Sequence, residues 1–427
     1  MANQGKLLRI NLSNGLIEAE FIAKELLEEC PGGCVLAKAL ARIEDVSAEN
    51  NKLIFAAGAL NGTGAPASAL CDIAGYVNNE IVCATLPLHI GPEIKFCGYD
   101  ALIIEGKAEA WCYILINGDD IKILPAEEIS ELTPLHTEMA IRSQFDHWRG
   151  NEIKIVSIGE ASSFSSLGGL ITDGFLLTDA RSLGNVFAEK NLKAIAIRGI
   201  FDLKLAQPPK FNQLITEAMR SFREEKKIFE EKFFKALEKA HVPLFTHIQC
   251  EGERRACFSC PIACLYQKNG QFLPNFEGAY CFSKLMGINV LKDALDIYKY
   301  CFKKGIDLFS LGLSVRMLIE IGRKGVSEIY LKAGDKEGIL KLLKEKDSLL
   351  HKGALFLAKE YQMETEFEEI KSGLERIKNI IFSQIEDFDK KIKKIKPLGF
   401  CPYILFAFPH ELLLDMYQVA KRSNYGS

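Results

Sequence analysis

The run Arg255-Ala256-Cys257-Phe258-Ser259-Cys260-Pro261-Ile262-Ala263-Cys264 sets three thiols at C-x2-C-x3-C spacing, and Cys401 follows far downstream in Leu398-Gly399-Phe400-Cys401. Thiolates this close together repel one another, and a bound cation or disulfides relieve the repulsion. Zinc sites built from cysteine usually arrange two C-x2-C pairs. The 2-plus-3 spacing with one distant partner suits an iron-sulfur cube better, with zinc and free core thiols as the competing readings. Pro261 turns the chain in the sense that lets the sulfurs converge.

The other candidates for chemistry carry less. Cys30 and Cys34 flank Pro31-Gly32-Gly33, and two small core thiols explain them more simply than a redox pair. Cys71, Cys83, Cys97, Cys112, Cys250, Cys281 and Cys301 lie scattered among apolar residues and read as small hydrophobes. None of the seven histidines forms a convincing ligand pair with a carboxylate at helical spacing; His410-Glu411 reads as the first turn of a helix. Gly32-Gly33 and Gly62-Thr63-Gly64 fall short of G-x-G-x-x-G, and there is no P-loop. A flavin or nicotinamide would have to sit on another subunit.

The elements that must position these residues follow from periodicity. Leu7 to Ile10 and Leu16 to Phe21 flank Ser13-Asn14-Gly15, a hairpin signal. Further strand candidates are Leu53 to Ala57, Leu102 to Glu105, Trp111 to Ile116, Ile121 to Leu124, Lys154 to Ile158 and Ala194 to Arg198. Helical patterns interrupt them at Glu25 to Arg42 and Pro134 to Phe145. After Gln207-Pro208-Pro209 the pattern turns helical over Phe211 to Ala240, Val290 to Lys304, Leu311 to Arg323, Lys336 to Lys346, Lys352 to Tyr361 and Glu364 to Lys394. The expectation is an α+β chain: a β-rich domain over residues 1–205, then a mostly helical domain over 206–427 that carries the cysteines.

With 427 residues, 48% hydrophobic and 26% charged, the chain has the composition of a globular protein with a large core. A net charge of -3 argues against nucleic acid as a partner. No apolar run approaches the ~20 residues of a membrane span, and Met1 to Ile10 lacks a signal peptide's apolar stretch. Thirteen cysteines then read as thiols and ligands in a cytoplasmic protein, and their number suits an anaerobe.

Several phrases are distinctive together: Asn51-Lys52-Leu53-Ile54-Phe55-Ala56-Ala57-Gly58, Gly62-Thr63-Gly64-Ala65-Pro66, Glu93-Ile94-Lys95-Phe96-Cys97-Gly98-Tyr99-Asp100-Ala101-Leu102-Ile103-Ile104-Glu105-Gly106, and Lys190-Asn191-Leu192-Lys193-Ala194-Ile195. Followed by the cysteine run, this succession resembles the aldehyde ferredoxin oxidoreductase family, whose members use a tungsten or molybdenum bis-pterin beside a [4Fe-4S] cluster. The resemblance runs from the first hairpin to about Gly325 and resumes over Leu398 to Ala420. It implies cluster ligation by Cys257, Cys260, Cys264 and Cys401, and a pterin-facing role for Asp307 in Gly305-Ile306-Asp307-Leu308.

The chain departs from the family at the pterin. Ser68-Ala69-Leu70-Cys71 stands where the family has Gly-Gly-Arg-Tyr, so leucine replaces a phosphate-facing arginine. Thr85-Leu86-Pro87-Leu88 stands for Asn-Ser-Gly-Gly, and Leu176-Leu177-Thr178-Asp179-Ala180-Arg181-Ser182-Leu183-Gly184 for a glycine-rich, arginine-bearing loop. Lys396 occupies the place of an aspartate, and the family's long channel-lining region shrinks to Gln362 to Lys396, read as one bridging helix. The resemblance therefore implies a kept cluster and a lost tungstopterin. The expected function is electron transfer in a redox complex, with a redox protein or ferredoxin-like carrier as partner. An active pterin enzyme and a structural partner of a full-length paralogue, in a homodimer or heteromer, are the rivals.

Overall fold

The computed structural model describes residues 3–42, 47, 50–146, 150, 152–327 and 331–421. Asn11 opens the first hairpin by accepting the Ser13 N–H on its side chain at 2.9 Å, and Gly15 supplies a positive φ of 74°. The flanking strands, β1 (Lys6–Asn11) and β2 (Ile17–Phe21), join β3 (Leu53–Ala57), β4 (Cys71–Val77), β5 (Glu80–Leu86) and β6 (Ala101–Glu105) in one sheet of order β2-β1-β6-β3-β4-β5. A second sheet of order β11-β10-β9-β12-β7-β8 contains β7 (Cys112–Asn117), β8 (Asp120–Pro125), β9 (Lys154–Ser157), β10 (Ile171–Thr172), β11 (Phe175–Leu176) and β12 (Leu192–Arg198). Only β1 with β6 and β7 with β12 run parallel.

Alternation along the strands sets the layers, because successive side chains leave opposite faces. Leu8, Ile10, Phe55 and Ile104 of the first sheet share a core with Ile114, Ile116, Val156 and Ile195 of the second. The opposite face of the first sheet, with Leu7, Ile54 and Ile103, is covered by Leu27 and Leu36 of the helices Lys24–Glu29 and Gly33–Ala41. Tyr113, Leu115 and Ile155 of the second sheet pack on Ile141 of the helix Pro134–Arg142. The first half is thus helix, sheet, sheet, helix.

Every expected strand is present. The hairpin β4-β5 was missed, although its turn residues Asn78 and Asn79, at φ of 52° and 63°, give the left-handed pair that such a hairpin needs. The pattern at Glu25 to Arg42 is two helices, broken where Gly32 comes so close to Ala57 that a Cβ would lie 2.5 Å from its carbonyl oxygen.

The second half is helical and forms the largest core, which also takes in Ala59, Leu60, Ala65 and Ala67 from the first half. Phe211 to Ala240 divides into Pro208–Glu224 and Lys226–Glu238. The single bridging helix expected after Gln362 is corrected to three, Glu364–Lys371, Gly373–Phe382 and Phe388–Ile395. Asp387, at φ 51°, interrupts the last two with a left-handed residue that no helix accommodates. Among the described residues, no helix is long and apolar enough to cross a membrane.

Candidate metal centre

Cys257, Cys260 and Cys264 lie on the loop joining the short strands β13 (Glu253–Arg255) and β14 (Leu265–Lys268). The loop is compact because Ser259 and Ala263 adopt φ of 51° and 48°, and the Cys260 N–H closes a turn onto the Cys257 carbonyl at 3.1 Å. Arg254 holds it from behind, donating to the Ile262 and Ala263 carbonyls while pairing with Glu230 at 2.6 Å.

Cys401 arrives from the other direction, after a 3-10 turn over Lys396–Leu398 and Gly399 at φ 92°. The backbones of Gly58 and Gly399 touch so closely that a Cβ on Gly58 would meet the Gly399 Cα at 2.1 Å. One residue of the first half, Ala67, ties both cysteine segments together: its N–H donates to the Ser259 carbonyl at 3.1 Å and its carbonyl accepts from the Cys401 N–H at 2.9 Å.

The four sulfurs are electrostatic neighbours. Burial pushes the Cys257 thiol up to about 12 and also raises Cys260; it drives Cys264 and Cys401 far above the usual thiol range, and the other cysteines add to the rise. By themselves these groups are neutral thiols; a cation among them is what makes four thiolates tenable. Backbone N–H groups point at the sulfurs: Leu88 at Cys257, Ile262 and Ala263 at Cys260, and Tyr403 at Cys401. Among the described residues, no three Cys, His, Asp or Glu side chains converge tightly enough to hold a single metal ion.

The segments that differ at the pterin are filled by the protein itself. Leu88 keeps a left-handed backbone, φ 73°, and puts its side chain into the core between the sheets. Leu176, Leu177, Ala180 and Leu183 are buried as well. Asp307 is fully buried and both its oxygens are used: one accepts the Ser310 N–H at 2.6 Å, capping the helix Leu308–Lys324, and the other accepts the Ala180 N–H. Burial, then the nearby Asp179, raises its carboxyl to about 7.

Other candidates fall elsewhere. His410 begins the helix His410–Ala420. Cys34 turns away from Cys30 to Cys83 on β5; that thiol contact brings Cys34 down to about 7, and its N–H donates to the buried Asp72 at 2.7 Å. Sequence reasoning missed Arg254, Ala67 and the N–H donors of Leu88 and Tyr403. Backbone donors leave no trace in residue type, and Arg254 is one arginine of an Arg-Arg pair.

Comparison with known proteins fits this frame. The model of the aldehyde ferredoxin oxidoreductase N-terminal domain matches residues 7–199, and that of its domains 2 and 3 matches residues 215–366. The tungsten-containing aldehyde ferredoxin oxidoreductase of Pyrococcus furiosus is 28% identical over 364 residues, covering 76% of this chain and 59% of that protein. Its counterpart from Thermococcus kodakarensis is 27% identical over 361 residues, with coverages of 76% and 59%. The chain thus spans 59% of the length of these curated relatives. The WOR-like subunit of an aliphatic sulfonate oxidoreductase from Pyrococcus furiosus is 24% identical over 219 residues, 46% of this chain and 35% of that one. Among solved structures, the active-site complex BamBC of benzoyl coenzyme A reductase with 1,5-dienoyl-CoA has the same fold. It superposes with a TM-score of 0.71 at 21% identity, covering 86% of this chain and 64% of that one.

Proposed function

The chain belongs to the aldehyde ferredoxin oxidoreductase family, and from that premise we propose that it holds one [4Fe-4S] cluster on Cys257, Cys260, Cys264 and Cys401 and relays electrons within a redox complex, without a tungstopterin. The observation that carries this reading is a contrast: four partly buried thiols are electrostatic neighbours with N–H donors aimed at three of their sulfurs, while the segments that differ from the family's pterin motifs are packed with leucine. Such a cluster, when bound, supplies one-electron transfer.

The residues of this chain do the rest. The N–H donors at Leu88, Ile262, Ala263 and Tyr403 spread the negative charge of the thiolates and so set the potential. Ile262, Leu265 and Phe400 are buried beside the ligands and keep water away. The C-x2-C-x3-C spacing with one distant cysteine favours a cube over zinc, whose cysteine sites usually pair two C-x2-C units. Tungstopterin does not fit these residues: Leu88 fills a glycine position and Asp307 has no oxygen to spare. Two of the similar proteins are named as a subunit and as a complex, which supports a place among other redox subunits.

Metal analysis of anaerobically purified protein tests the reading. The expected result is about four irons per chain, from the cluster type, with neither tungsten nor molybdenum. Iron with stoichiometric tungsten would mean an active pterin enzyme, and protein without metal would mean a scaffold for a longer paralogue.

A further inference from the structure

The helix Phe388–Ile395 belongs to the short segment that stands in place of the family's long channel-lining region, and its sequence is Phe-Asp-Lys-Lys-Ile-Lys-Lys-Ile. Phe388, Ile392 and Ile395 fall at i, i+4 and i+7 and pack on the main core. The opposite side presents Lys390, Lys393 and Lys394, exposed, with Lys391 half-buried at the edge. Against these four cations the helix has one acid, Asp389. The neighbouring acids are Asp387 and Glu386 before the helix and Glu411 on the adjoining helix, alongside His410. None of the four lysines forms an ion pair among the described residues, whereas Lys378 and Lys324 on other helices are paired with Glu375 and Glu366.

Beneath this charged face an aromatic series leads inward. The Phe388 ring stacks on Phe382 with centroids 4.1 Å apart and planes at 6°. Phe382 in turn lies 5.6 Å from Tyr403, stacked, and Phe233 meets the same tyrosine edge-on at 5.1 Å. Tyr403 stands two residues after Cys401, and its N–H points at the Cys401 sulfur. The lysine helix is therefore joined to the Cys401 segment by contacting rings, Phe388, Phe382 and Tyr403. Electrons tunnel more readily through such close-packed matter than across water.

We propose that the lysine face of the helix Phe388–Ile395 is the docking surface for an acidic electron-carrier protein, which exchanges electrons with the cysteine site through Phe388, Phe382 and Tyr403. The proposal rests on the electron-transfer reading above and adds to it the surface and the charge of the partner. The step moves one electron from reduced carrier to oxidised cluster, or back, and neither makes nor breaks a bond. Charge complementarity selects the occupant: four unpaired cations on one helix face attract a negative patch and speed its encounter. An anionic membrane is the other surface that a basic helix suits. Here the apolar side that would enter lipid is already spent on the core.

The test compares the natural protein with a variant carrying Lys390→Glu, Lys393→Glu and Lys394→Glu, using an acidic [4Fe-4S] ferredoxin as the probe. Binding is measured by titration calorimetry at about 0.05 M and about 0.5 M salt, between which screening becomes strong. The expected result is at least tenfold weaker binding by the variant at low salt and loss of most of the salt dependence. Reduction by dithionite stays unchanged, because a small reductant needs no docking. A second variant, Lys393→Glu with Lys394→Glu, gives an intermediate loss and guards against misfolding. Equal affinity of natural and reversed protein would overturn the proposal, as would lysine-dependent binding to phosphatidylserine vesicles with none to the carrier. Binding is read without reference to the cluster. Lysine-dependent, salt-sensitive binding by an iron-free protein would therefore sink the electron-transfer reading and leave the docking surface standing.

Discussion

Two neighbouring regions of this molecule contrast, on the proposed reading that the cluster is kept and the tungstopterin lost. At the cysteine loop Arg254 and Ala67 lock the backbone, and N–H donors point at the thiols of Cys257, Cys260 and Cys401. At the segments that differ from the family's pterin motifs the side chains bond and pack within the protein, apart from the buried Asp179 Oδ1, which has no hydrogen-bond partner among the described residues. Asp307 caps a helix and takes the Ala180 N–H, and Leu88 occupies a left-handed position with a core side chain. A site kept for a ligand leaves acceptors or donors aimed at a common space. An unsatisfied buried polar group costs about 1–3 kcal/mol, which favours repacking wherever no ligand satisfies it.

The largest expected effect is on the kept side. Cys260→Ala removes one of the four proposed ligands, and the expected outcome is complete loss of the visible cluster absorbance. Thermal unfolding should show a destabilisation on the order of 3–5 kcal/mol, the scale seen when a buried charge loses its partner. Undiminished absorbance would move the ligands elsewhere. The abandoned side should respond more mildly. Leu88→Gly relieves a left-handed leucine, roughly 1–2 kcal/mol, but gives up a buried side chain, roughly 3–5 kcal/mol. The net expected loss is about 2 kcal/mol, smaller than for Leu86→Gly on β5, and iron content is unchanged because the backbone N–H of residue 88 remains. A Leu88→Gly protein more stable than the parent would mean that the leucine does not hold this region closed.

How far the sequence reaches differs between the same two regions. Cysteine spacing marked the loop because ligation demands a residue type at a fixed interval, and strand alternation marked both sheets for the same reason. What closes the pterin side was visible only as missing glycines and arginine. That Leu88 keeps the glycine-like φ, and that Asp307 bonds to Ala180 across 127 positions of chain, depend on tertiary packing that no local pattern encodes. The three-helix break after Gln362 was hidden likewise, because Gly373 sits where a Cβ would lie 2.5 Å from the hydroxyl of Tyr280, far away in sequence.

The smallest expected effect is also the most specific to the comparison, since it asks whether Asp307 caps its helix as a charged or a neutral group. Its folded carboxyl is raised from 3.8 to about 7, by burial first and by Asp179 second. A carboxyl raised on folding holds its proton in the native state while the unfolded chain has released it. Between pH 4 and pH 7 the native state therefore binds more protons, and this group makes stability fall as pH rises, with no further change above about 7. Asp179 lies close, so the two carboxyls titrate as a pair rather than singly. Asp307→Asn cannot titrate, still caps the helix through its side-chain oxygen, and forfeits at most the bond to Ala180, worth about 1 kcal/mol. Melting temperature followed against pH should show a shallower fall for the variant than for the parent between pH 4 and 7, the difference between the curves isolating this site from other buried acids such as Glu138. Identical slopes would show that Asp307 is ionised in the native state. A buried carboxylate kept ionised there would be held by the Ser310 and Ala180 N–H groups and the N-terminus of the helix Leu308–Lys324, so the slope separates a charged cap from a neutral one.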